Sequence, residues 1–457
     1  MELRGRHVVV VGLARTGNSL AEFLLAEGAR VTISEKRTAE ALGPELAEWT
    51  SRGAVVECGG HDPATFLSAD LIVPSPGVPK LAEIQSARDK GIPVLSEIEL
   101  AYRFLKGTLI GITGTNGKST TATLTHKILA EGGHRAFLSG NIGVPLLSFV
   151  RRSRPDDLYV IEISSFQLEY IERFKVHIAV MLNISQNHLD WHGSFEEYWG
   201  AKKKLVTALA AGDFAVLNRD DDKVWELAGS GPFQTYGFSR TRALEPGAFL
   251  RGGEIALSGG PRPAEALLPL AEIPLFGAHN RDNVMAAALV GRILGVPAPR
   301  MRESIRSFQA LEHRLERVAV IGGVEFVNDS KATTVDAAIK AVESFDRPIV
   351  LILGGKDKGS DFRPLRAAIA GRVKFIVLVG AARDTIRAAL DGTVPMAEAR
   401  DYAEVVERAY AAAAPGDVVL LAPACTSWDM FASFEVRGET FKREVRRLAG
   451  PAKRPGE

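Results

Sequence analysis

The sequence predicts an α/β chain of three consecutive domains, on three observations. Its 457 residues suit roughly three domains of about 150 residues each. Short runs of Val, Ile and Leu alternate with amphipathic helical stretches, the pattern of parallel strands covered by helices. Two strand-to-helix junctions, at 12–17 and 111–120, carry the glycine punctuation of nucleotide-binding turns. The expected architecture is a Rossmann-like domain over 1–97, a P-loop ATPase-like domain over 98–310 and a second Rossmann-like domain over 311–457.

Composition narrows the class. Lys and Arg (56) nearly balance Asp and Glu (55), so no charge excess points to nucleic acid or an anionic membrane. Two cysteines, Cys58 and Cys425, cannot build a disulfide framework and suit a reducing cytosol. The opening Met1-Glu-Leu-Arg-Gly-Arg-His leads into a short valine-rich strand that Arg15 soon interrupts, so it reads as a domain start and not a signal peptide. No apolar run approaches membrane-spanning length, and neither a helical repeat nor a low-complexity tract is present. A soluble, cytoplasmic protein is expected, without nucleic-acid or membrane partners.

In the first domain, residues 7–11 read as a buried strand, followed by Gly12-Leu-Ala-Arg-Thr-Gly17 and a helix through Leu20, Phe23 and Leu24. A second strand, 30–34, ends at Glu35, an acidic residue at the distance suited to a ribose hydroxyl. Ala14 stands where the second glycine of the dinucleotide fingerprint belongs. Two readings follow, a nicotinamide dinucleotide or a nucleotide-like ligand held differently. The strand at 70–74 ends in Pro74-Ser-Pro-Gly77, which is either a plain tight turn or part of the same binding edge.

The second domain is expected to begin within 96–105. Gly111-Ile-Thr-Gly-Thr-Asn-Gly-Lys-Ser-Thr120 follows a buried strand and precedes a helix, and glycines at 111, 114 and 117 are expected in its loop. Backbone N–H groups of such a loop converge on phosphate oxygens, Lys118 reaches the outer phosphates and the Ser119 hydroxyl suits Mg²⁺. Ile112 stands where the general P-loop pattern asks for its first glycine. Residues 139–143 read as a loop. The strand at 158–164 carries Glu162 in its apolar end, costly to bury unless it meets a cation, and Mg²⁺ is the economical partner. Another strand, 178–184, runs into Asn187-His-Leu-Asp190, where His188 is either a hydrogen-bonded loop residue or a ligand. A helix starting near Ser194, with Glu197 as capping-box partner, carries Tyr198 and the run Lys202-Lys-Lys204, which by itself reads as a solvated helix end. A strand at 214–218 ends at Asp220-Asp-Asp222. Residues 238–275 are Gly/Pro-rich and read as irregular or small-sheet structure, Ala278-His-Asn280 opens a helix over 283–294, and a charged helix passes through Phe308.

Glu312-His-Arg-Leu-Glu316 marks the second boundary. Strands at 324–328, 349–353, 375–379 and 418–421 follow. Three of them run into polar loops: Asp329-Ser-Lys-Ala-Thr-Thr334, Gly354-Gly-Lys-Asp-Lys-Gly359 and Ala422-Pro-Ala-Cys-Thr-Ser427. Loops at the carboxyl ends of parallel strands gather on one edge and form the binding crevice.

Together the 111–120 stretch, Asn183-Ile-Ser-Gln-Asn-His-Leu-Asp190, Tyr198 with Lys202, His279-Asn280, Glu312-His-Arg314 and Asn328-Asp-Ser-Lys-Ala-Thr333 resemble the Mur ligase family, over essentially the whole chain and in that family's order. Gly12-Leu13 with Thr16-Gly17, Ser75-Pro-Gly77, Ser164-Ser-Phe-Gln-Leu168, the 329–333 loop and Ala424-Cys425 with Ser427 are similar to the branch that joins D-glutamate to UDP-N-acetylmuramoyl-L-alanine (UDP-MurNAc-L-Ala). Glu35 and Lys36, Asn187 and Thr334 depart from the commoner residues of that pattern.

The resemblance implies roles. Leu13, Thr16, Glu35, Arg37, Ser75 and Gly77 would bind the UDP part of the substrate, without nicotinamide, and Asn141 would contact the same molecule. ATP would lie on Gly114, Thr115, Asn116, Gly117, Lys118, Ser119 and Thr120, with Asn280, Arg314, Asp329 and Lys331. Two Mg²⁺ ions would be held by Ser119 and Glu162, and by His188 with Lys202 carbamylated from CO₂, since an ammonium cannot ligate a cation. The Tyr-x-x-x-Lys spacing favours Lys202 over its two lysine neighbours. Lys118, Glu162, His188, Lys202 and Lys331 would be catalytic, and D-glutamate would meet Thr333, Lys358, Ser427 and Phe434. Read alone, Lys358 is one of several loop lysines. The implied enzyme is a monomeric, cytoplasmic, ATP-dependent ligase that works through an acyl phosphate in peptidoglycan precursor synthesis, and so in cell shape and division. Two rival classes are a NAD-dependent oxidoreductase, against which Ala14 argues, and a non-catalytic binder of UDP-sugar or ATP, which would have no use for two metal sites.

Overall fold

A computed structural model describes residues 1–259 and 264–449. It contains three sheets. The first is formed by β1 (His7–Val11), β2 (Arg30–Glu35), β3 (Val55–Cys58) and β4 (Leu71–Pro74), in the order β3-β2-β1-β4 and all parallel. The second comprises β5 (Thr108–Thr113), β6 (Ala136–Gly140), β7 (Leu158–Glu162), β8 (Ile178–Met181), β9 (Phe214–Asn218), β10 (Gln234–Ser239), β11 (Gly247–Arg251), β12 (Glu254–Ser258) and β13 (Glu265–Pro269). Its order is β13-β12-β11-β10-β9-β8-β5-β7-β6. The third comprises β14 (Glu316–Ile321), β15 (Val324–Asn328), β16 (Ile349–Gly354), β17 (Val373–Val379), β18 (Met396–Glu398) and β19 (Val418–Leu421), ordered β14-β15-β19-β16-β17-β18.

The chain forms two compact units. One holds Met1–Ile273 with Arg281–Ser307, the other Pro274–Asn280 with the chain from Phe308 onward. Within the first unit a single apolar cluster runs from Val8, Val10 and Leu71 of the first sheet to Tyr159, Ala179 and Leu217 of the second. In the second unit, successive residues of β16, β17 and β19 alternate between two cores, with Leu351, Leu353 and Leu420 in one and Val350, Ile352 and Val419 in the other. That is the signature of a parallel sheet covered on both faces.

Several elements differ from expectation. Gly111 is not in the loop but inside β5, and a Cβ there would lie 3.0 Å from both Ile163 Cδ1 and Leu205 Cδ1. Its role is close packing of the sheet, and the loop itself spans 114–117. Of the two structures expected over 238–275, irregular or small-sheet, strands are found, but they extend the central sheet: β10 pairs with β9 and carries β11, β12 and β13. Residues 260–263, within that stretch, and 450–457, at the end of the expected third domain, lie outside the described residues. The strand expected over 178–184 stops at Met181, and the helix expected from 283 already starts at Ala278. Ser194 does cap the helix Phe195–Thr207, accepting from Glu197 N (3.1 Å), but the Glu197 carboxylate reaches Lys80 (3.2 Å) instead of returning to the cap. A full capping box forms instead at Ser164 and Gln167, ahead of the short helix Ser165–Glu169.

Candidate active site

Each sheet presents loops at the carboxyl ends of adjacent strands. In the first sheet β1 lies between β2 and β4, so the turns after these three meet. Glu35 knits them: its Oε2 accepts from the Leu13 backbone N–H (2.7 Å) and from Arg37 Nη2 (3.3 Å), and its Oε1 from the Arg37 N–H (3.0 Å). Arg37 Nη2 also donates to the Leu13 carbonyl at 2.7 Å. Burial alone would raise the Glu35 carboxyl, but the N–H groups of Arg37 and Leu13 and the guanidinium hold it below its usual range. Ser75 Oγ donates to the Gly12 carbonyl (3.0 Å) and closes the third side. Thr16 lies in the first turn of the helix Arg15–Ala26, and Gly77 in the turn after β4. A Cβ at Gly17 would lie 2.0 Å from the Gly12 carbonyl oxygen, so only glycine lets that helix approach the turn.

In the central sheet β5 lies between β7 and β8, the switch point where connections diverge and a crevice opens. Gly117, with φ of 85°, caps the helix Lys118–Glu131. A Cβ there would lie 2.3 Å from Oδ1 of Asn283, an oxygen that also accepts from Thr121 Oγ1 at 3.1 Å. Thr115 and Asn116 are laced to the segment after β8: Thr115 N donates to the Asn183 carbonyl (3.0 Å), and Asn116 N to Asn183 Oδ1 (2.8 Å). Ser119 is buried and Thr120 occupies the same first helical turn. Lys118 Nζ folds over its own loop, donating to the carbonyls of Gly114 and Thr115 at 3.0 Å each.

Of the three consecutive lysines, Lys202 alone is buried, at 1 % exposure. Its Nζ donates to Thr113 Oγ1 (3.1 Å) and to the Gly114 carbonyl (2.9 Å), the carbonyl that Lys118 also uses. Desolvation and the neighbouring Lys118 charge depress its pKa well below that of an ordinary lysine, against the pull of Glu162. Glu162, 2 % exposed, accepts from Asn141 Nδ2 on Oε1 at 2.9 Å, while its buried Oε2 meets no hydrogen-bond donor among the described residues. A buried carboxylate oxygen lacking a donor is costly, and together with the Ser119 hydroxyl it offers the hard oxygen ligands that suit Mg²⁺. His188 has a left-handed backbone (φ 53°) and is exposed. Its ring packs on Phe166 (4.8 Å between centroids) and lies 6.4 Å from that of Tyr198, the ring over which Lys202 Nζ sits at 5.0 Å.

In the second unit, β19 lies between β15 and β16, so the loops expected to form the rim are neighbours. Asp329 N donates to the Leu421 carbonyl (2.8 Å), and burial, opposed by Arg314, pushes its carboxyl up to about 7. Lys331 N donates to the His313 carbonyl (3.1 Å), and Lys331 Nζ lies 4.6 Å from the centre of the Phe434 ring. Thr333 is half-buried and Ser427 buried. Lys356 and Thr426 exchange backbone hydrogen bonds (2.9 and 3.1 Å), tying the Lys358 loop to the Ser427 loop. Asn280 lies in the segment that packs with this unit, its Nδ2 donating to the Phe276 carbonyl at 2.6 Å.

Residues not singled out from the sequence hold these loops. Arg437, 1 % exposed, donates to Ser330 Oγ (2.9 Å), the Ser330 carbonyl (2.7 Å) and the Cys425 carbonyl (3.0 Å), clamping the loops after β15 and β19. In a helix dense with Arg and Glu it reads as solvated. The available signal was Gly438 beside it, since a glycine inside a helical run marks a close approach, and a Cβ there would lie 2.2 Å from His313 Nδ1. Asn283, beneath Gly117, had no local signal.

Comparison with known proteins agrees with this arrangement. Family models described as Mur ligase MurD-like N-terminal domain, Mur ligase middle domain, and Mur ligase glutamate ligase domain match residues 6–96, 112–291 and 313–425. The chain is 49 % identical over 454 residues (99 % of this chain, 98 % of the relative) to the UDP-N-acetylmuramoylalanine–D-glutamate ligase of Acidobacterium capsulatum. It is 45 % identical to the ligase of the same name from Koribacter versatilis, covering 99 % of this chain and all of that one. A UDP-N-acetylmuramate–alanine ligase from Thermotoga maritima shares the fold, with a TM-score of 0.61 at 16 % identity, over 97 % of this chain and 100 % of that one. A buried lysine and glutamate beside a glycine loop, the three domain matches in sequence and this likeness along nearly the full length give one conclusion: the chain belongs to the Mur ligase family.

Proposed function

We propose that the protein joins D-glutamate to UDP-MurNAc-L-Ala at the expense of ATP, a cytoplasmic step of peptidoglycan precursor synthesis. The observation that carries this is 45–49 % identity over nearly the full length to ligases named for that reaction. The turns joined by Glu35, with Leu13, Thr16, Arg37, Ser75 and Gly77, take the UDP part, and Asn141 the rest of that substrate. ATP lies on residues 114–120, the glycine loop and first helical turn of the first unit. Thr333, Lys358, Ser427 and Phe434 receive D-glutamate. Boundaries after 97 and 310, and a monomeric state, complete the reading.

A carboxylate is a poor electrophile, so the L-alanyl carboxylate first takes the γ-phosphoryl group of ATP and becomes an acyl phosphate. This step needs alignment and cancelled charge above all; the loop N–H groups supply the first, and Lys118 contributes to the second. The D-glutamate amine then attacks the carbonyl carbon, and the C–O bond to phosphate breaks. Mg²⁺, held by Ser119 and Glu162 and, at a second position, by His188 and Lys202, would neutralise phosphate charge in both steps. Lys202 meets that requirement as a carbamate, and the downward shift of its pKa by burial and Lys118 favours the unprotonated amine with which CO₂ reacts.

The test is phosphate release from ATP and Mg²⁺ with UDP-MurNAc-L-Ala and each candidate amino acid in turn. Release is expected with D-glutamate and only when both substrates are present. Brisk hydrolysis without them, or equal turnover of L-glutamate, lysine or diaminopimelate, would overturn the assignment.

A further inference from the structure

Lys358 Nζ lies 5.0 Å from the ring centre of Trp428. At 62 % exposure, Trp428 is the most exposed large apolar side chain among the described residues. Its ring is not held by a core, yet the backbone beneath it is pinned. Met430 N and Phe431 N donate to the Ser427 carbonyl (3.1 and 2.8 Å), and Asp429 Oδ2 accepts from Ala381 N at 2.8 Å. The turn that carries Lys358 is pinned as well, with Asp357 Oδ1 accepting the N–H groups of Lys358 (2.7 Å) and Ser360 (2.9 Å). Two fixed turns thus face an indole with the end of a long flexible chain. The arrangement recurs at the far end of the same segment, where Lys331 Nζ lies over Phe434.

A carboxylate partner would hold Lys358 in place but would compete with any anionic ligand for its charge. An aromatic face holds an ammonium through the ring quadrupole and leaves its charge available. We propose that Trp428 is a positioning residue for the acceptor, its indole face presenting the Lys358 ammonium to the side-chain carboxylate of an acidic amino acid. This rests on the reading that Lys358 takes that carboxylate.

The experiment compares Trp428→Phe, which keeps an aromatic face, with Trp428→Leu, which keeps only bulk, alone and combined with Lys358→Ala. KM for D-glutamate and for ATP is read from phosphate release. Trp428→Leu is expected to raise KM for D-glutamate about two- to fivefold, the size of an exposed cation–π contact, with a smaller change for ATP. Trp428→Phe should retain most of the wild-type value, and Trp428→Leu should add nothing once Lys358 is alanine. Equal KM values for the Phe and Leu variants, or an undiminished Leu effect in the Lys358→Ala background, would overturn the positioning role alone. No change in D-glutamate KM for Lys358→Ala would overturn the underlying reading as well.

Discussion

Lys202 brings an amine to the foot of the glycine loop, where Thr113 Oγ1 and the Gly114 carbonyl receive it and Lys118 lies close by. Lys202→Ala is expected to remove nearly all turnover, and a small carboxylic acid in the buffer to restore part of it by supplying the missing oxygen ligand. Full activity in the alanine variant would refute the metal role. Glu97 offers a stability test. It is 2 % exposed, its Oε1 accepts from Leu147 N at 2.7 Å, and burial pushes its pKa up to about 7, against the Leu147 and Leu146 N–H groups. Folded protein therefore holds a proton that the unfolded chain has lost, between the ordinary carboxyl pKa and about 7. Across that window the unfolded state binds fewer protons, so stability falls as pH rises. Glu97→Gln should flatten this slope, and urea midpoints at pH 5 and pH 8 should differ less than in wild type. An unchanged difference would count against a buried proton on Glu97. Neither residue's environment was legible: the Tyr-x-x-x-Lys spacing suggested Lys202, but a run of three lysines on a helix carries no sign of which one is buried.

At the scale of elements, the strands that flank the sites were readable because both of their faces are covered. β1, β7 and β19 are almost continuously apolar and buried, β15 is buried throughout, and the turn residues after them announce their ends. Three edge strands were not readable. β3, β14 and β18 mix half-buried and exposed positions, so no apolar run or strict alternation marks them. Glycines and prolines likewise left 238–275 open between irregular and small-sheet structure, although Gly252 and Gly253, both at positive φ, form the turn between β11 and β12. Arg437 shows what the pattern of elements leaves out, because two loops from different strands keep their positions through one guanidinium on a third element. Arg437→Met would leave the carbonyls of Ser330 and Cys425 without that donor, and three charge-assisted hydrogen bonds at ~1.5–3 kcal/mol each set an upper scale for the loss. The expected result is a urea midpoint lowered by at least ~2 kcal/mol equivalent, together with a D-glutamate KM raised through the displaced Ser427 loop. Unchanged stability and kinetics would show that the loops hold without it.

For the molecule as a whole, three sheets each present polar loops at the carboxyl ends of adjacent strands, and this followed from α/β topology before any contact was known. The shared apolar core of the first two sheets did not, because nothing local marks which strand faces meet. If the first sheet holds the UDP part, occupying it should act locally. A ligand that binds only the folded state stabilises what it contacts by ~2.7 kcal/mol at a hundredfold excess over its Kd, so amides exchanging through opening of that region should slow about 100-fold. Hydrogen exchange with UDP alone should therefore slow the N–H groups of Leu13 and Arg37, which rest on Glu35. The loops after β15, β16 and β19 should keep their rates until ATP and D-glutamate are added. Protection of the Thr333 and Lys358 loops by UDP alone, with Leu13 and Arg37 unaffected, would place the nucleotide-sugar on the wrong sheet and undo the division of ligands among the three.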